Sequence, residues 1–595
     1  MKRSEVKEEY KWRRADIFLN DADWERNLAV LNKDIVGILQ FKGRLSCGET
    51  LLKCFALSDD LSKRLEKLYC YAMLYKDENL ALSEAAAMKS RVETLYVSFS
   101  AYSAYIVPEL SAQPDSVLEG YIADPDFSMY DYQLKNILAQ KKHILSEGEE
   151  RVLALAGKTI GAFREIFTQL DNVDMPFPNI NADGKPQKMT HGKYSLWLQS
   201  ENRDLRKRAF SGMYKAVGAV VHTAGANFAA SVNKDNFLAQ VRGYNSALEK
   251  SLKQNDVPAA VYDTLLTQVS AFLPALHEYM AFRKKTLGYE KLHMYDLHVP
   301  LFPQASLGVS FDKAYELVID GLKPLGAAYT EVLRAARTSR WLDVEETQNK
   351  RSGAYSCGVY GVHPYVLLNY KPLMHDVFTV AHEMGHAVHS YESAKYQPYA
   401  KNDYAIFVAE VASTVNEVLL LKHLLSETKD INTKKYLLSY YLDMFRTTLF
   451  RQTMFAEFEA QAHALEAEGT PLTVDRLNKL YASLNKKYYG TDVTQDKQIR
   501  LEWARIPHFY NAFYVYQYAT GLTSAVSLAN AIRGNKADAQ ERYKAFLRAG
   551  GSKSPYEILK DAGVDLLDAS AYKTAFTEFT SALEELKNLQ LTTDN

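Results

Sequence analysis

The chain has 595 residues, with 71 Lys+Arg against 72 Asp+Glu for a formal net charge of −1. That balance excludes a protein that holds nucleic acid through a basic surplus, because such binding rests on neutralising phosphates. Hydrophobic residues at 47% and charged residues at 24% exclude the disordered class and leave enough apolar side chains for a large core.

Gly and Pro are scarce, 28 and 17, which leaves few turns and favours long helices; Tyr is abundant, 40 against 26 Phe. The N-terminal MKRSEVKEEYKWRRADIF mixes both charge signs without an apolar stretch, so it does not read as a secretory signal and a cytoplasmic location is expected. Cys47, Cys54, Cys70 and Cys357 are too few and too scattered for a disulfide framework or a CxxC metal clip. They are expected as small buried thiols in a reducing compartment. Leu61 to Tyr75 and Glu84 to Tyr105 carry apolar residues at three- and four-residue spacing and are predicted helices. Asp171 to His191 is dense in Pro, Asn, Asp and Gly, which predicts a small hairpin and a boundary between an N-terminal helical domain, 1–190, and a second domain, 191–595. Leu287 to Pro303 reads as a Tyr- and His-rich connection. Arg351 to Tyr370 combines three glycines with a β-type run, Tyr365 to Tyr370.

The chemistry begins at His375 to Glu392, HDVFTVAHEMGHAVHSYE, a predicted helix near 376–393 that contains His382-Glu383-Met384-Gly385-His386. Two His four apart on a helix differ by about 40° in azimuth and about 6 Å in height, so both imidazoles can meet one ion. Zinc accepts such nitrogens, and Glu383, one residue on, lies beside the ion as a base for water. With 14 His in the chain, only roughly 0.02 such matches are expected by chance. His389 and Glu392 stand where the HExxHxxGxxH class needs Gly and His, so that class is excluded. Seven residues from His382, His389 is about 10.5 Å away along the axis, and is read as a supporting or packing residue behind the ligands.

A third ligand must come from a second helix. Tyr404 to Leu425, YAIFVAEVASTVNEVLLLKHLL, is that helix, and Glu410 interrupts its apolar face, with Ser413 and Glu417 at i+3 and i+7. A carboxylate there is costly unless paired or metal-bound. Glu410 is the candidate ligand and Glu417 the candidate support. Two His, one carboxylate and an open fourth position make a catalytic zinc site, one ion per chain. Further on, Tyr436 to Glu468 and Leu477 to Tyr489 are predicted helices. Ile506 to Ile532 has no Asp, Glu, Lys or Arg over 27 residues but contains Pro507, His508, Asn511, Gln517 and Asn530, so it reads as a buried helix and not a membrane span.

HEMGHAVHS followed by FVAEVASTVNE, with Glu410 standing 24 residues beyond His386, resembles the thimet oligopeptidase superfamily of zinc peptidases, and more closely its oligoendopeptidase F branch. YKWRRADIF, RSGAYS before PYVLLNY, LFRQTMFAEFE, LYASLNKKYYG and EWARIPHFYNAFYVYQYATG extend the resemblance over nearly the whole chain in order. The resemblance implies a mainly α fold, a two-lobed helical shell around a deep central channel, with a small β-sheet next to the zinc site. It implies oligopeptide substrates cut at internal bonds, ligands His382, His386 and Glu410, and Glu383 as base. It also implies a His and one or more Tyr facing the oxyanion, carried over to His508 and Tyr514, with Tyr510 a further candidate for the substrate-binding side; one superfamily Tyr falls on Gln517. Tyr510, Tyr514 and Tyr518 are predicted to form one helical stripe at i, i+4 spacing. The strand Tyr365 to Tyr370 is expected to offer an exposed edge that holds an extended peptide. The alternative activity is a helical zinc carboxypeptidase that trims C-terminal residues.

Overall fold

A computed structural model describes residues 1–182, 184–303 and 308–594, and its fold is mainly α with three small sheets among the described residues. Scarce Gly and Pro show first in α1, Gly48–Glu78, 31 residues without a break, which packs along α2, Ser83–Ser103. Leu61, Leu65 and Leu68 on α1 and Met88, Val92 and Leu95 on α2 recur at three- and four-residue spacing and share one buried cluster. Trp24 is sealed in the same cluster, its indole N–H donating to the Leu68 carbonyl at 2.9 Å.

α3, Glu147–Gln169, starts from a capping box between Ser146 and Glu149. The predicted hairpin follows as β1, Asn179–Ala182, antiparallel to β2, Lys185–Lys188, and then α4, Arg203–Val241, 39 residues long. The 287–303 connection is not wholly irregular: Leu292–His293 pairs in parallel with Val493–Thr494 as a two-stranded sheet, and a 3₁₀ turn follows, Met294–Asp296, where Asp296 receives both Arg203 and Arg206 at 2.8 Å.

β3, Leu342–Asp343, β4, Tyr355–Cys357, and β5, Tyr365–Leu367, form one sheet in the order β3-β5-β4, with β5 parallel to β3 and antiparallel to β4. This corrects the expectation of an exposed edge at Tyr365 to Tyr370. The strand is shorter and central, and Tyr365, Val366 and Leu367 are all at 0% exposure. A strand buried on both faces must pair its backbone groups on both sides. The outer strands of this sheet are the buried β3 and the half-buried β4, so the more accessible edge falls on β4.

Next come α5, Met374–Tyr396, and α6, Ile406–Glu427. The predicted 436–468 helix is continuous but not uniform: α7, Ile431–Met444, runs through a π-helical turn, Phe445–Phe450, into α8, Arg451–Ala467. α9 is Val474–Tyr489. The charge-free run is not one helix. It opens with a 3₁₀ turn, Pro507–Tyr510, turns at Phe513 with φ +58°, and becomes α10, Tyr516–Arg533. Thr520, Thr523 and Ser524 are buried in α10 and each donates its hydroxyl to the carbonyl four residues back, so the polar groups are satisfied inside the helix. Among the described residues no helix is long and apolar enough to cross a membrane. α11, Ala539–Arg548, and α12, Ala569–Asp594, complete the order.

The chain resolves into two compact units, each built from three separated stretches: Met1–Ile144, Ser306–Leu424 and Leu528–Val564 in one, Leu145–Ala305, Leu425–Ser527 and Asp565–Asn595 in the other. The first unit holds the β3-β5-β4 sheet, α5 and α11. The second holds the hairpin, α4, and an aromatic core in which Phe228, Phe455, Phe458 and Phe509 pack edge to face and face to face. Much of the Tyr surplus is core in the same sense: Tyr262, Tyr315 and Tyr365 bury their rings and donate their hydroxyls to the carbonyls of Ala456, Leu333 and Arg13.

Candidate metal centre

α5 is apolar on most of its circumference. Val377, Phe378, Val380, Ala381, Met384, Ala387 and Val388 are all buried, which leaves His382 and His386 together on the face that remains accessible, with side chains 28% and 19% exposed. α6 crosses it in close backbone contact. Gly385 permits this: a Cβ added there would lie 2.5 Å from Ser413 Cα and 2.8 Å from the Ala412 carbonyl oxygen. The crossing is pinned by Asn416, whose side-chain amide donates to the Ala381 carbonyl at 3.0 Å while its oxygen accepts from the Tyr329 hydroxyl at 2.8 Å. Glu410 is thereby carried to the two imidazoles.

His382 Nε2, His386 Nε2 and Glu410 Oε2 form a triangle with edges of 3.2, 3.4 and 3.5 Å. Bonds of about 2.0–2.1 Å to a tetrahedral zinc would set its ligand atoms about 3.3 Å apart, so the three donors fit one face of that tetrahedron. The donor set also has the right chemistry, because two imidazole lone pairs and a carboxylate oxygen turned toward a common point call for a cation. Burial opposes the charge on Glu410, yet the hydrogen bonds from His382 and His386 hold its carboxyl well below the usual range. Burial likewise pushes His382 down, but hydrogen bonds to Glu410 and Glu417 prevail and raise it well above an ordinary histidine. Ser413 donates to Glu410 Oε2 at 3.2 Å, and Glu417 Oε1 sits 2.7 Å from His382 Nδ1. The second contact fixes the ring so that Nε2 faces the centre. Glu383 is buried next to the pair; burial, augmented by Glu410 and Glu417 and opposed by the two histidines, raises its carboxyl above the usual glutamate range.

Residues 196–578 match the model of Peptidase family M3, and residues 109–177 match that of Oligopeptidase F. The chain belongs to peptidase family M3. Within the family it falls in the oligopeptidase F branch. It is 41% identical to Oligopeptidase PepF of Bacillus subtilis over 99% of this chain and 88% of that one. It is 39% identical to Group B oligopeptidase PepB of Streptococcus agalactiae over 99% and 98%. The solved structure of oligoendopeptidase-F from Enterococcus faecium superposes with a TM-score of 0.75 at 34% identity, covering 96% of this chain and 99% of that chain.

The remaining residues read from the sequence of this M3 peptidase fall into separate places. His389 is fully buried, stacked on Tyr404 at 3.7 Å and near Phe546 at 5.1 Å, and its Nδ1 has no hydrogen-bond partner. Burial pushes it down to about 3, so it packs as a neutral ring. In the second unit, His508, Tyr514 and Tyr518 form a ring trio with centroids 5.4–6.2 Å apart. Tyr510 is not part of it, and the predicted stripe of three tyrosines is corrected. Its ring is buried against Phe167 at 4.6 Å and Phe228 at 6.3 Å, and its hydroxyl bonds to Asn227. Helical spacing fails here because Phe513 occupies the left-handed region, a conformation costly for a bulky residue. The buried Glu459 accepts from the Phe513 N–H at 3.1 Å and holds that turn. Gln517 is buried, at 7% exposure.

Four residues carry structural roles that sequence reading does not single out. Gly385 was visible only as a helix-weakening residue inside the motif. Glu459, within FAEFE, looked like any carboxylate on a helix. Glu502 and Arg451, which lie in the EWAR and LFRQ motifs, are a buried pair at 2.7 Å completed by the Tyr481 hydroxyl at 2.5 Å. Burial opposes charge on Glu502, but Arg451 lowers it to about 2.

Proposed function

We propose that this M3 peptidase is a zinc-dependent endopeptidase that hydrolyses internal bonds of short unstructured oligopeptides. The observation that carries the reading is the His382–His386–Glu410 triangle of tetrahedral dimensions with the buried Glu383 at its side. A zinc ion bound there would lower the pKa of its water towards about 7 and polarise the scissile carbonyl. Glu383 takes the proton from the attacking water and returns it to the leaving amine; its raised pKa keeps it basic enough for the first transfer and acidic enough for the second. Glu417 keeps the proton of His382 on Nδ1. His508 and Tyr514 are assigned to donate hydrogen bonds to the oxyanion. The free edge of β4, in place of the central β5, is assigned to pair with the backbone of the substrate, which gives affinity with weak side-chain selectivity.

The test is cleavage of fluorogenic peptides blocked at both ends, with products mapped by mass spectrometry. Internal cleavage that a chelator abolishes and added zinc restores is expected. Cleavage that persists in chelator sinks the metal assignment. Removal only of C-terminal residues from unblocked peptides would favour the carboxypeptidase.

A further inference from the structure

Cys70 on α1 and Cys357 at the end of β4 are 287 residues apart in sequence, and their sulfur atoms are 3.6 Å apart. Cys70 is 4% exposed, packed among Trp12, Leu74, Val359 and Leu367, whereas Cys357 is half-buried on the free sheet edge. Contacts that do not involve sulfur hold the two elements together on either side. The Tyr355 hydroxyl donates to Asp77 at 2.8 Å, and the Tyr360 N–H donates to Glu66 at 2.8 Å. Glu66, Cys70 and Asp77 fall on one face of α1 by their spacing of four and seven, and β4 with its following turn lies along that face. The thiol proximity is thus fixed by the fold. Cys47 is exposed and Cys54 lies beside Tyr105, so neither competes for this partnership.

We propose that Cys70 and Cys357 form a disulfide in response to a hydroperoxide, tethering the free edge strand β4 to α1. Cys357, the thiol that solvent reaches, attacks the peroxide as thiolate; an S–O bond forms, the O–O bond breaks, and the departing alkoxide or hydroxide takes a proton from solvent. The sulfur of Cys70 then displaces hydroxide from the Cys357 sulfenic acid, its own thiol proton leaving with the hydroxide as water. Two thiols lose two electrons and the peroxide gains them, giving the disulfide, one alcohol or water, and one water. The hydrogen bond to Cys357 and burial hold the Cys70 thiol up, so Cys357 and not Cys70 is the thiol that meets the peroxide first.

Closure brings the sulfurs from 3.6 Å to about 2.05 Å, a movement of about 1.5 Å. α1 is a 31-residue helix, and β4 is paired on one side only, so β4 moves. Just beyond it, Gly358 abuts α5: a side chain there would come within 3.0 Å of Ser390 Cβ. The effect on turnover rests on the proposed use of the β4 edge by substrate; the bond itself does not.

The experiment treats the full chain with its metal with hydrogen peroxide, alkylates under denaturing conditions and maps the peptides. The Cys70 and Cys357 peptides should be joined with the loss of two hydrogens, titratable thiols should fall from four to two, and dithiothreitol should reverse both. kcat/KM for a blocked peptide should fall about tenfold or more and recover with the reductant, because displacement of about 1 Å is enough to cost up to ~10²-fold. Cys70→Ala should keep the reduced activity and form no cross-link. Recovery of both cysteines alkylated, or of Cys357 as sulfinic acid without a link, overturns the proposal. A linked pair with kcat/KM within twofold overturns the control of turnover. Failure of the reduced enzyme to cut blocked peptides would count against the peptidase reading instead, and the linkage map still decides the pair.

Discussion

Gly385→Ala separates the close helix crossing from every other determinant of the metal centre. The new Cβ would sit 2.5 Å from Ser413 Cα and 2.8 Å from the Ala412 oxygen. Carbon atoms in contact prefer about 3.5–4.0 Å, so α6 must retreat by roughly 1 Å, and both obstacles are backbone that cannot swing aside. That retreat is half of a metal–ligand bond of about 2.0–2.1 Å, and Glu410 is then unable to reach an ion the histidines hold. Overpacking costs about 1–3 kcal/mol, while replacing a helical Gly with Ala returns about 1 kcal/mol, so net stability falls by only about 0–2 kcal/mol. Zinc affinity should fall much further, about 10–100-fold or more, the scale seen when residues that orient ligands are lost. Competition against a chromophoric chelator measures the affinity, and thermal denaturation measures the stability. Gly157→Ala in α3, where nothing lies within 4 Å of the added methyl, is the control and should gain about 0.5–1 kcal/mol. Zinc affinity for Gly385→Ala within twofold of the parent would refute the argument that the glycine brings Glu410 to the histidines.

Glu383→Gln should keep its zinc, measured by elemental analysis, and lose about 10²–10⁴-fold in kcat; near-normal turnover would remove it as the base. Glu417→Gln leaves His382 Nδ1 without its carboxylate and should weaken zinc binding about 10–100-fold, read by the same chelator competition. Burial raises Glu383, and the base acts only when deprotonated, so at saturating zinc kcat/KM should fall on the acid side at a pH above the ordinary glutamate value of about 4.3; an acid limb at or below that value would contradict it. His389 has its folded pKa depressed to about 3 against about 6.5 unfolded. The unfolded chain therefore binds the extra proton first, and stability is full above about pH 6.5 and is lost as pH falls towards 3, by about 4–5 kcal/mol in total. His389→Phe should flatten that slope in denaturant titrations at pH 4 and 7, and an unchanged slope would show that another group carries it.

Local order was legible wherever it depends on residues close in the chain. The hairpin at 179–188, the helices that cover 61–75 and 84–103 and the helix that presents His382 and His386 all follow from spacing and turn chemistry. The spacing was misleading at 506–518, because one residue, Phe513 at φ +58°, reset the helical phase and sent Tyr510 into a core with Phe167. Periodicity has no means to register a turn that a distant carboxylate, Glu459, holds in place.

The sequence by itself determined the pair of imidazoles with a glutamate between them, because one helical turn fixes their relation. It also determined that the fold would be helical, because so few residues could break a helix. Only the tertiary structure decided how near Glu410 comes to that pair, which strand of the sheet keeps a free edge, and that Cys70 meets Cys357. Each of these joins residues from separate elements, and their distances are set by packing against backbone, as at Gly385, where a missing methyl group lets two helices meet.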